Sequence, residues 1–242
     1  RAPLPEGDAT AASIARLSDL VTSSGDPRLR DFLAALATVS LPEFPTFRMA
    51  DVTALRPEDQ GPPNDLERAF VDPVPGEPDE VRCFSRRLVR ALRERLADED
   101  PARHRRLHAA AAERHRAAAH EDPGSEAAAR HVHHLYEARD WEALIAWMRQ
   151  HGIPQSLVRW AWRTGRDELA PTDPDAFERL AEQVAGHYVT LGSYRHPDAL
   201  EAFDLLAGSS VARRRAWSVL KQAEGSVLRG HHEQARALLQ DW

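Results

Sequence analysis

Cysteine and lysine are almost absent from this sequence. Cys83 is the only cysteine among the 242 residues, so an internal disulfide is excluded and a thiolate zinc site would need a second chain. This cysteine usage favours an intracellular protein, and we expect a cytoplasmic one. Lys221 is the only lysine among 32 basic residues. The preference for arginine, together with abundant alanine, indicates a GC-rich coding bias rather than a mechanism.

Several familiar motifs are missing as well. No apolar run approaches the ~20 residues that cross a bilayer, and the opening RAPLPEGDATAAS has no secretory apolar core. There is no G-x-x-x-x-G-K-[ST] phosphate loop, because Lys221 lies in the helical pattern SVLKQAEG. No G-x-S-x-G turn and no catalytic setting for Cys83 occur either. We therefore expect no enzyme activity, no bound cofactor and no membrane contact in this chain.

Length and composition are typical of one large domain or two small ones. The sequence is 42% hydrophobic, which is enough for a core. It begins with Arg1 rather than Met, and its last helical pattern, ARALLQDW, has no stop signal. We expect it to be a segment of a longer protein.

Charge is distributed unevenly along the chain. The formal net charge is -6, but residues 1–80 carry seven arginines against fifteen carboxylates. Residues 81–130 carry twelve arginines against eight carboxylates. The two regions are therefore expected to attract each other or to bind different partners.

A small domain is predicted over residues 24–100, after a leading helix or linker in residues 1–23. Asp26 and Pro27 are typical of a helix start, and Asn64 is a candidate cap for another short helix. Thr46 is expected to cap a third short helix between them.

The end of this domain is predicted to be a hairpin and a helix. A β-hairpin fits residues 69–84, with its turn at Pro-Gly, and Ser85 can cap the arginine-rich helix that follows. Three short helices followed by a hairpin are the order of a winged-helix domain.

Residues 101–242 are predicted to form an α-helical arm, so that the whole fold is mainly α. Helices are expected at 102–120, 125–137, 140–151, 155–164, 173–190, 197–207 and 210–242, the last with a break near Gly230. Three helix junctions share a turn residue, an aromatic or histidine, and then a small residue: Arg139-Asp-Trp141-Glu-Ala143, Gly192-Ser-Tyr194 followed by Ala199, and Gly230-His-His232-Glu-Gln-Ala235. The last two turns lie 38 positions apart, near the length of a helical-hairpin repeat, and predict an antiparallel tetratricopeptide-like (TPR-like) array.

Three runs in order carry a family resemblance: VRCFSRRLVRALRERL, ARHRRLHAAAAERHRAA and EAAARHVHHLYEARDWEALIAWM. The order resembles the region just after the ATPase core in STAND proteins, the signal-transduction ATPases with numerous domains. That group includes bacterial NLR-like proteins and MalT-like and AfsR-like regulators. The matching positions are Phe84, Leu88, Val89 and Arg90, then Arg105 to His108, then Ala138 to Ala143.

The resemblance implies a regulatory segment of a multidomain signalling ATPase. Its winged helix would pack on the protein's own nucleotide domain, and its helical arm would bind a protein partner or signal. ATP or ADP would be bound by a part outside this sequence, and oligomerisation of the full-length protein stays open. The family's winged helix often has a nucleotide-contacting histidine where strand meets helix, but Ser85 follows Phe84 here, so that contact is not expected.

The arginine-rich helix is the main candidate for binding. Arg86, Arg87, Arg90 and Arg93 surround a leucine stripe and are predicted to contact another module or an anion. The alternative is a solvated face whose arginines pair with local carboxylates such as Glu94.

A DNA-binding transcriptional regulator is the alternative function for a winged helix. Its third helix would enter the major groove, and its wing would touch phosphates. Here the third helix, DLERAF, carries Asp65 and Glu67, and the wing VDPVPGEPDEV has four carboxylates and no basic residue. Because phosphate would repel these groups, DNA is not an expected partner.

Two further residue sets are candidates for binding. Trp141, Trp147, Trp160 and Trp162 form either a partner surface or part of the core. His104 and His108 are four residues apart and could hold a metal with His131 of the next helix as the third ligand, although surface or inter-helix histidines are the simpler interpretation. A metal-dependent helical enzyme that uses these histidines is the third alternative function.

Overall fold

A computed structural model describes residues 25–240 of the chain. In this range the protein has twelve α-helices and one three-stranded antiparallel sheet, so the prediction of a mainly α fold is confirmed. None of the described helices combines the length and the apolar character that a bilayer crossing requires. The leading helix predicted within residues 1–23 lies outside the described residues.

The described residues form two compact units. The first runs to His115 and also includes Glu137–Arg139, whereas the second comprises Arg116–Tyr136 and the residues from Asp140 onward. The first unit thus continues past residue 100 into the next helix. Arg103 and Arg114 of that helix pair with Asp31 and Asp51, which holds its first half to the first unit.

The first unit contains both strands and helices. In chain order they are α1 (Pro27–Val39), β1 (Thr46–Arg48), α2 (Met49–Ala54), α3 (Asp65–Arg68), β2 (Val71–Val74), β3 (Glu77–Cys83), α4 (Arg86–Glu99) and the first part of α5 (Pro101–Glu121). The strands pair in the order β1-β3-β2. The core of the unit lies between α1, α4 and one side of the sheet, with Phe32, Leu36, Phe47 and Leu88 buried in it.

Three of the predicted helix caps are present. Asp26 accepts a hydrogen bond from the Arg28 backbone N–H at 2.9 Å, and Ser85 accepts one from Leu88 at 3.3 Å. Asn64 forms a capping box with Glu67, in which each side chain accepts from the other's backbone N–H. These caps satisfy amide groups that the first turn of a helix leaves without a helical partner.

Thr46 does not cap a helix, contrary to the sequence prediction. It begins β1, where it lies opposite Arg82 of β3, and the helix that follows is preceded by Arg48 without a side-chain cap. The neighbouring Phe47 pairs with Val81 and is buried. Pairing with β3 and burial of this aromatic ring favour an extended chain over a helical start.

The predicted hairpin is confirmed. β2 and β3 pair antiparallel from Val71 opposite Cys83 to Val74 opposite Glu77. Gly76 takes a φ of 86° in the connecting turn, a conformation that glycine adopts without the steric cost a side chain would add.

The second unit consists of helices only, apart from one short 3-10 turn. It contains the end of α5, most of α6 (Glu126–Ala138), and α7 (Trp141–His151), α8 (Val158–Thr172), α9 (Pro174–Thr190), α10 (Pro197–Ala207), α11 (Ala212–Leu228) and α12 (His232–Gln240). The helices predicted for this region are present, including the break near Gly230, but the helix predicted at 155–164 begins at Val158, after the 3-10 turn, and runs to Thr172.

The three predicted repeat junctions share one backbone turn. Arg139, Gly192 and Gly230 all have a positive φ, at 58°, 66° and 78°. In each turn the next residue's N–H donates to the carbonyl five positions before it: Asp140 to Leu135, Ser193 to Tyr188, and His231 to Ser226. This is the hydrogen bond of a Schellman helix end, which closes a helix and turns the chain back.

Candidate functional site

Helix α4 presents three arginines to solvent on the side opposite its buried stripe. The buried residues are Leu88, Val89 and Leu92. Arg86, Arg87 and Arg90 are exposed. The helical period places the arginines and the buried residues on opposite faces. Because the buried face packs into the core, the arginines point to solvent.

Arg93, the fourth predicted arginine, has a different position. It is half-buried and donates to the backbone carbonyls of Ala37, at 3.1 and 3.2 Å, and of Ser40. Burial lowers the pKa of its guanidinium. Because the last carbonyls of a helix have no helical partner, Arg93 completes the C-terminal end of α1, and its donors are directed into the unit.

The exposed arginines differ in their local partners. Arg90 pairs with Glu94 one turn later, with Nε 2.8 Å from Oε1, and the hydrogen bond that it donates to Glu94 raises its pKa. Arg86 and Arg87 form no ion pair with any residue between 25 and 240. Two cationic groups on this helix are therefore available to a partner.

An open groove runs beside these arginines. It has a volume of about 380 Å³, and Leu41, Pro42, Pro45 and Val89 are among the residues that line it. Arg86, Arg90 and Arg93 also line the groove, together with Glu94, the partner of Arg90. The groove thus combines apolar side chains with a cationic edge, which suits a segment that carries both apolar and acidic side chains.

The third helix of the first unit offers little to a nucleic acid. α3 spans four residues, and its Glu67 is buried against Arg28 and Arg56. Arg68 is held by a hydrogen bond to the Pro63 carbonyl at 3.1 Å. Around the hairpin, Asp72, Glu77 and Asp79 are exposed carboxylates, and the exposed Arg82 lies opposite Asp72, so carboxylates outnumber arginines there.

The four predicted tryptophans separate into two pairs. Trp147 and Trp162 are buried, at 4% and 2% exposure, and Trp162 stacks on Phe177 with parallel rings 5.2 Å apart. Their burial makes them part of the core. Trp141 and Trp160 are half-buried and flank Tyr136, at 5.3 and 4.8 Å between ring centroids. Only this second pair reaches the surface that a partner could contact.

His104 and His108 lie close together in the first unit. Both are buried, and their ring centroids are 4.4 Å apart. Burial lowers the pKa of His104, and the charges of Arg93, Arg139 and Arg105 lower it further. A lowered pKa keeps the imidazole neutral at physiological pH, so its ring nitrogen has a lone pair available.

Glu137 is the third member of this group. Its Oε2 lies 3.9 Å from Nε2 of His104, and one potential ligand atom from each of His104, His108 and Glu137 lies within 4.8 Å of the others. His131, predicted as the third ligand, packs its ring against Trp147 in the second unit, 5.1 Å away. Glu137 therefore takes the place predicted for His131.

The sequence contains a signal that points to Glu137. Helices α5 and α6 are joined by the short turn at Asp122-Pro123-Gly124. In a helical hairpin, residues at equal distances from the turn lie side by side. Counting outward from this turn brings the end of α6 beside the region around His108, and Glu137 is the carboxylate there.

The comparisons with known proteins give no match: no family model, no curated protein and no solved structure matches this chain. The resemblance to STAND proteins therefore rests on the three sequence runs that carry it.

Proposed function

We propose that this chain is a non-catalytic regulatory segment of a multidomain STAND-type signalling ATPase. In this proposal α4 packs on the nucleotide domain through Arg86, Arg87 and Arg90, and the second unit binds a protein partner or signal. The observation that carries the proposal is the pair of exposed arginines without an ion pair in the described chain, next to an open, partly apolar groove.

The element order of the first unit supports this proposal. A helix, a strand, two short helices and a hairpin precede α4, and strand β1 pairs with the second hairpin strand. In the proposal this unit is a winged helix that serves as a packing module. Its acidic hairpin and cationic α4 could then attract different surfaces of one neighbour.

Two equivalent turns support a repeat array in the second unit. The turns at Gly192 and Gly230 have the same hydrogen bond and precede buried small residues, Ala199 and Ala235. Such antiparallel helical hairpins resemble TPR repeats, which expose long surfaces to peptides and proteins. Trp141 and Trp160 are the aromatic side chains we assign to that surface.

Charge reversal in α4 tests the contact with the nucleotide domain. The coding sequence before Arg1 should encode a phosphate-binding loop, and that domain, produced separately, should bind this chain. Arg86→Glu with Arg87→Glu should weaken binding at least tenfold, because two attractive charges become repulsive. Arg213→Glu with Arg236→Glu, at exposed arginines of α11 and α12, is the matched control and should change binding little. A flanking sequence without a phosphate-binding loop, or equal binding by all variants, would contradict the proposal.

A DNA-binding regulator is the second candidate, and the short α3 with its buried Glu67 argues against it. A duplex titration separates the two functions. At physiological salt we expect only the weak, sequence-independent binding typical of Kd values of about 10⁻⁴–10⁻⁶ M, or none. Tight, sequence-dependent binding would favour the DNA-binding function instead.

A further inference from the structure

We propose that His104, His108 and Glu137 form a binding site for one zinc ion, with a fourth position open to water. All three residues belong to the first unit. The site is independent of the regulatory function proposed above, since it shares no residue with the exposed face of α4.

The helix places the two imidazoles on one face. Residues four apart in an α-helix lie one turn above each other, and the two rings are 4.4 Å apart between centroids. Glu137 approaches from the end of α6, with Oε2 3.9 Å from Nε2 of His104. Two ligands from one helix and a third from another element are a common way of building a metal site.

The distances require only a small adjustment. Zinc binds nitrogen and oxygen at about 2.0–2.2 Å, so tetrahedral ligand atoms lie roughly 3.4 Å apart. The three ligand atoms here lie within 4.8 Å of one another. The Glu137 side chain is 26% exposed, so it can rotate toward the imidazoles and also leaves a path from solvent for the ion.

His104 provides independent support for a ligand. Its Nε2 is buried and has no hydrogen-bond partner, and the residue is only 6% exposed. Buried polar atoms in proteins are nearly always hydrogen-bonded. A metal ion at this point would supply the partner that Nε2 lacks.

The neighbouring charges select the type of metal. Arg93, Arg139 and Arg105 act on His104 and repel any cation at the site. Mg²⁺ and Ca²⁺ are held mainly by charged oxygen ligands and would gain little here. Zinc forms strong bonds to neutral imidazole nitrogens, so it can bind where the surrounding charge is unfavourable.

Bound zinc would fasten Glu137, in the last turn of α6, to the first two turns of α5. Three protein ligands leave one coordination position for water or for a side chain of another molecule.

Zinc binding by the full 242-residue chain tests the site. Chelator-treated protein is incubated with zinc chloride, passed through a desalting column and analysed for metal by mass spectrometry. We expect one zinc per chain, little competition from Mg²⁺, and a higher Tm with zinc than without it, because an ion that binds only the folded state stabilises it. Cobalt should give visible bands without a thiolate band, since Cys83 is not a ligand.

Two ligand variants and one control make the test specific. Glu137→Gln keeps the size of a partly exposed side chain and should fold, and His108→Asn removes a buried imidazole. Each should lower zinc affinity by about tenfold or more, whereas His232→Asn, at an exposed histidine, should not. Circular dichroism checks the fold of each variant. Less than stoichiometric zinc in the unaltered chain, or an equal loss in His232→Asn and Glu137→Gln, would overturn the site.

Discussion

Arg56 and Glu67 form an ion pair in which both side chains are buried. Nη2 of Arg56 lies 2.7 Å from Oε1 of Glu67, and each side chain is 1% exposed. Arg28 also reaches Glu67, at 3.1 Å, and the Asn64 backbone N–H donates to its Oε2 at 2.8 Å. One carboxylate thus joins α1, α3 and the loop after α2.

Loss of the Glu67 charge should destabilise the first unit strongly. In Glu67→Gln the buried Arg56 loses its counter-charge, and breaking a buried ion pair costs about 3–5 kcal/mol. Urea denaturation followed by circular dichroism measures the change. Glu94→Gln is the control, because its partner Arg90 is exposed, and it should leave the midpoint almost unchanged. Equal shifts of the urea midpoint in the two variants would show that burial does not determine how much an ion pair contributes to stability.

Arg93 and Arg86 should respond differently to substitution. Arg93→Met keeps the apolar stem but removes the hydrogen bonds to Ala37 and Ser40, and charged hydrogen bonds of this kind contribute about 1.5–3 kcal/mol. We expect a loss of about 2 kcal/mol in the free energy of unfolding. Arg86→Met should leave stability unchanged and weaken only partner binding. An unchanged free energy of unfolding in Arg93→Met would show that other groups donate hydrogen bonds to these carbonyls.

Acid should destabilise the second unit through Asp175. A hydrogen bond from Arg179, and then one from the buried Arg214, lowers the pKa of this carboxyl in the folded state. The resulting stabilisation is present above the usual aspartate pKa of about 4 and is lost as pH falls through the lowered folded value.

The pH dependence of unfolding checks this relationship. Urea midpoints between about pH 2 and pH 7 should fall less steeply with acid in Asp175→Asn than in the unaltered chain. Asp204→Asn, at an exposed carboxylate of α10, should behave like the unaltered chain. Identical pH profiles for all three proteins would contradict the role of Asp175.

Two glycines in helices should respond to alanine in opposite directions. A Cβ at Gly225 of α11 would lie 2.5 Å from the Tyr194 ring, and overpacking of this kind costs about 1–3 kcal/mol. A Cβ at Gly186 of α9 would meet nothing within 4 Å, and alanine there should stabilise the helix by up to about 1 kcal/mol. Thermal unfolding of Gly225→Ala and Gly186→Ala measures both. A stability change of the same sign in both variants would show that helix propensity alone determines the effect of alanine.

Cys83 should react slowly with thiol reagents in the folded protein. The thiol is 8% exposed, and burial raises its pKa, so little thiolate is present at neutral pH. Alkylation at pH 7 should be at least about tenfold slower than in denaturant. Equal rates would mean that the end of β3 opens readily.

Local features of the fold could be predicted from the sequence. The caps at Asp26, Asn64 and Ser85 and the turns at Gly192 and Gly230 depend on residues only a few positions away. The prediction that Thr46 caps a helix was wrong, because the conformation of Thr46 depends on a residue that is distant along the chain. Its strand exists because Arg82 lies opposite it in β3, and no local pattern around Thr46 indicates that distant pairing.

The same difference between local and distant interactions applies to the candidate sites. The sequence identified the arginines of α4 and the pair His104 and His108, because helical spacing alone places them on common faces. It could not separate Arg93, which closes the end of α1, from the exposed Arg86. Helical spacing alone also did not choose Glu137 over His131, because that choice needs the pairing of the two helices across the turn at Asp122-Pro123-Gly124.

The sequence by itself determined most of the helical segments, the caps at Asp26, Asn64 and Ser85 and the residues that share a helix face, because these properties arise from interactions over a few residues. Tertiary structure alone decided which charges became buried partners, as in Arg56 with Glu67, and which stayed exposed. The physical reason is that burial changes the energy of a charge far more than its sequence neighbours do, and burial is set by residues that are distant along the chain.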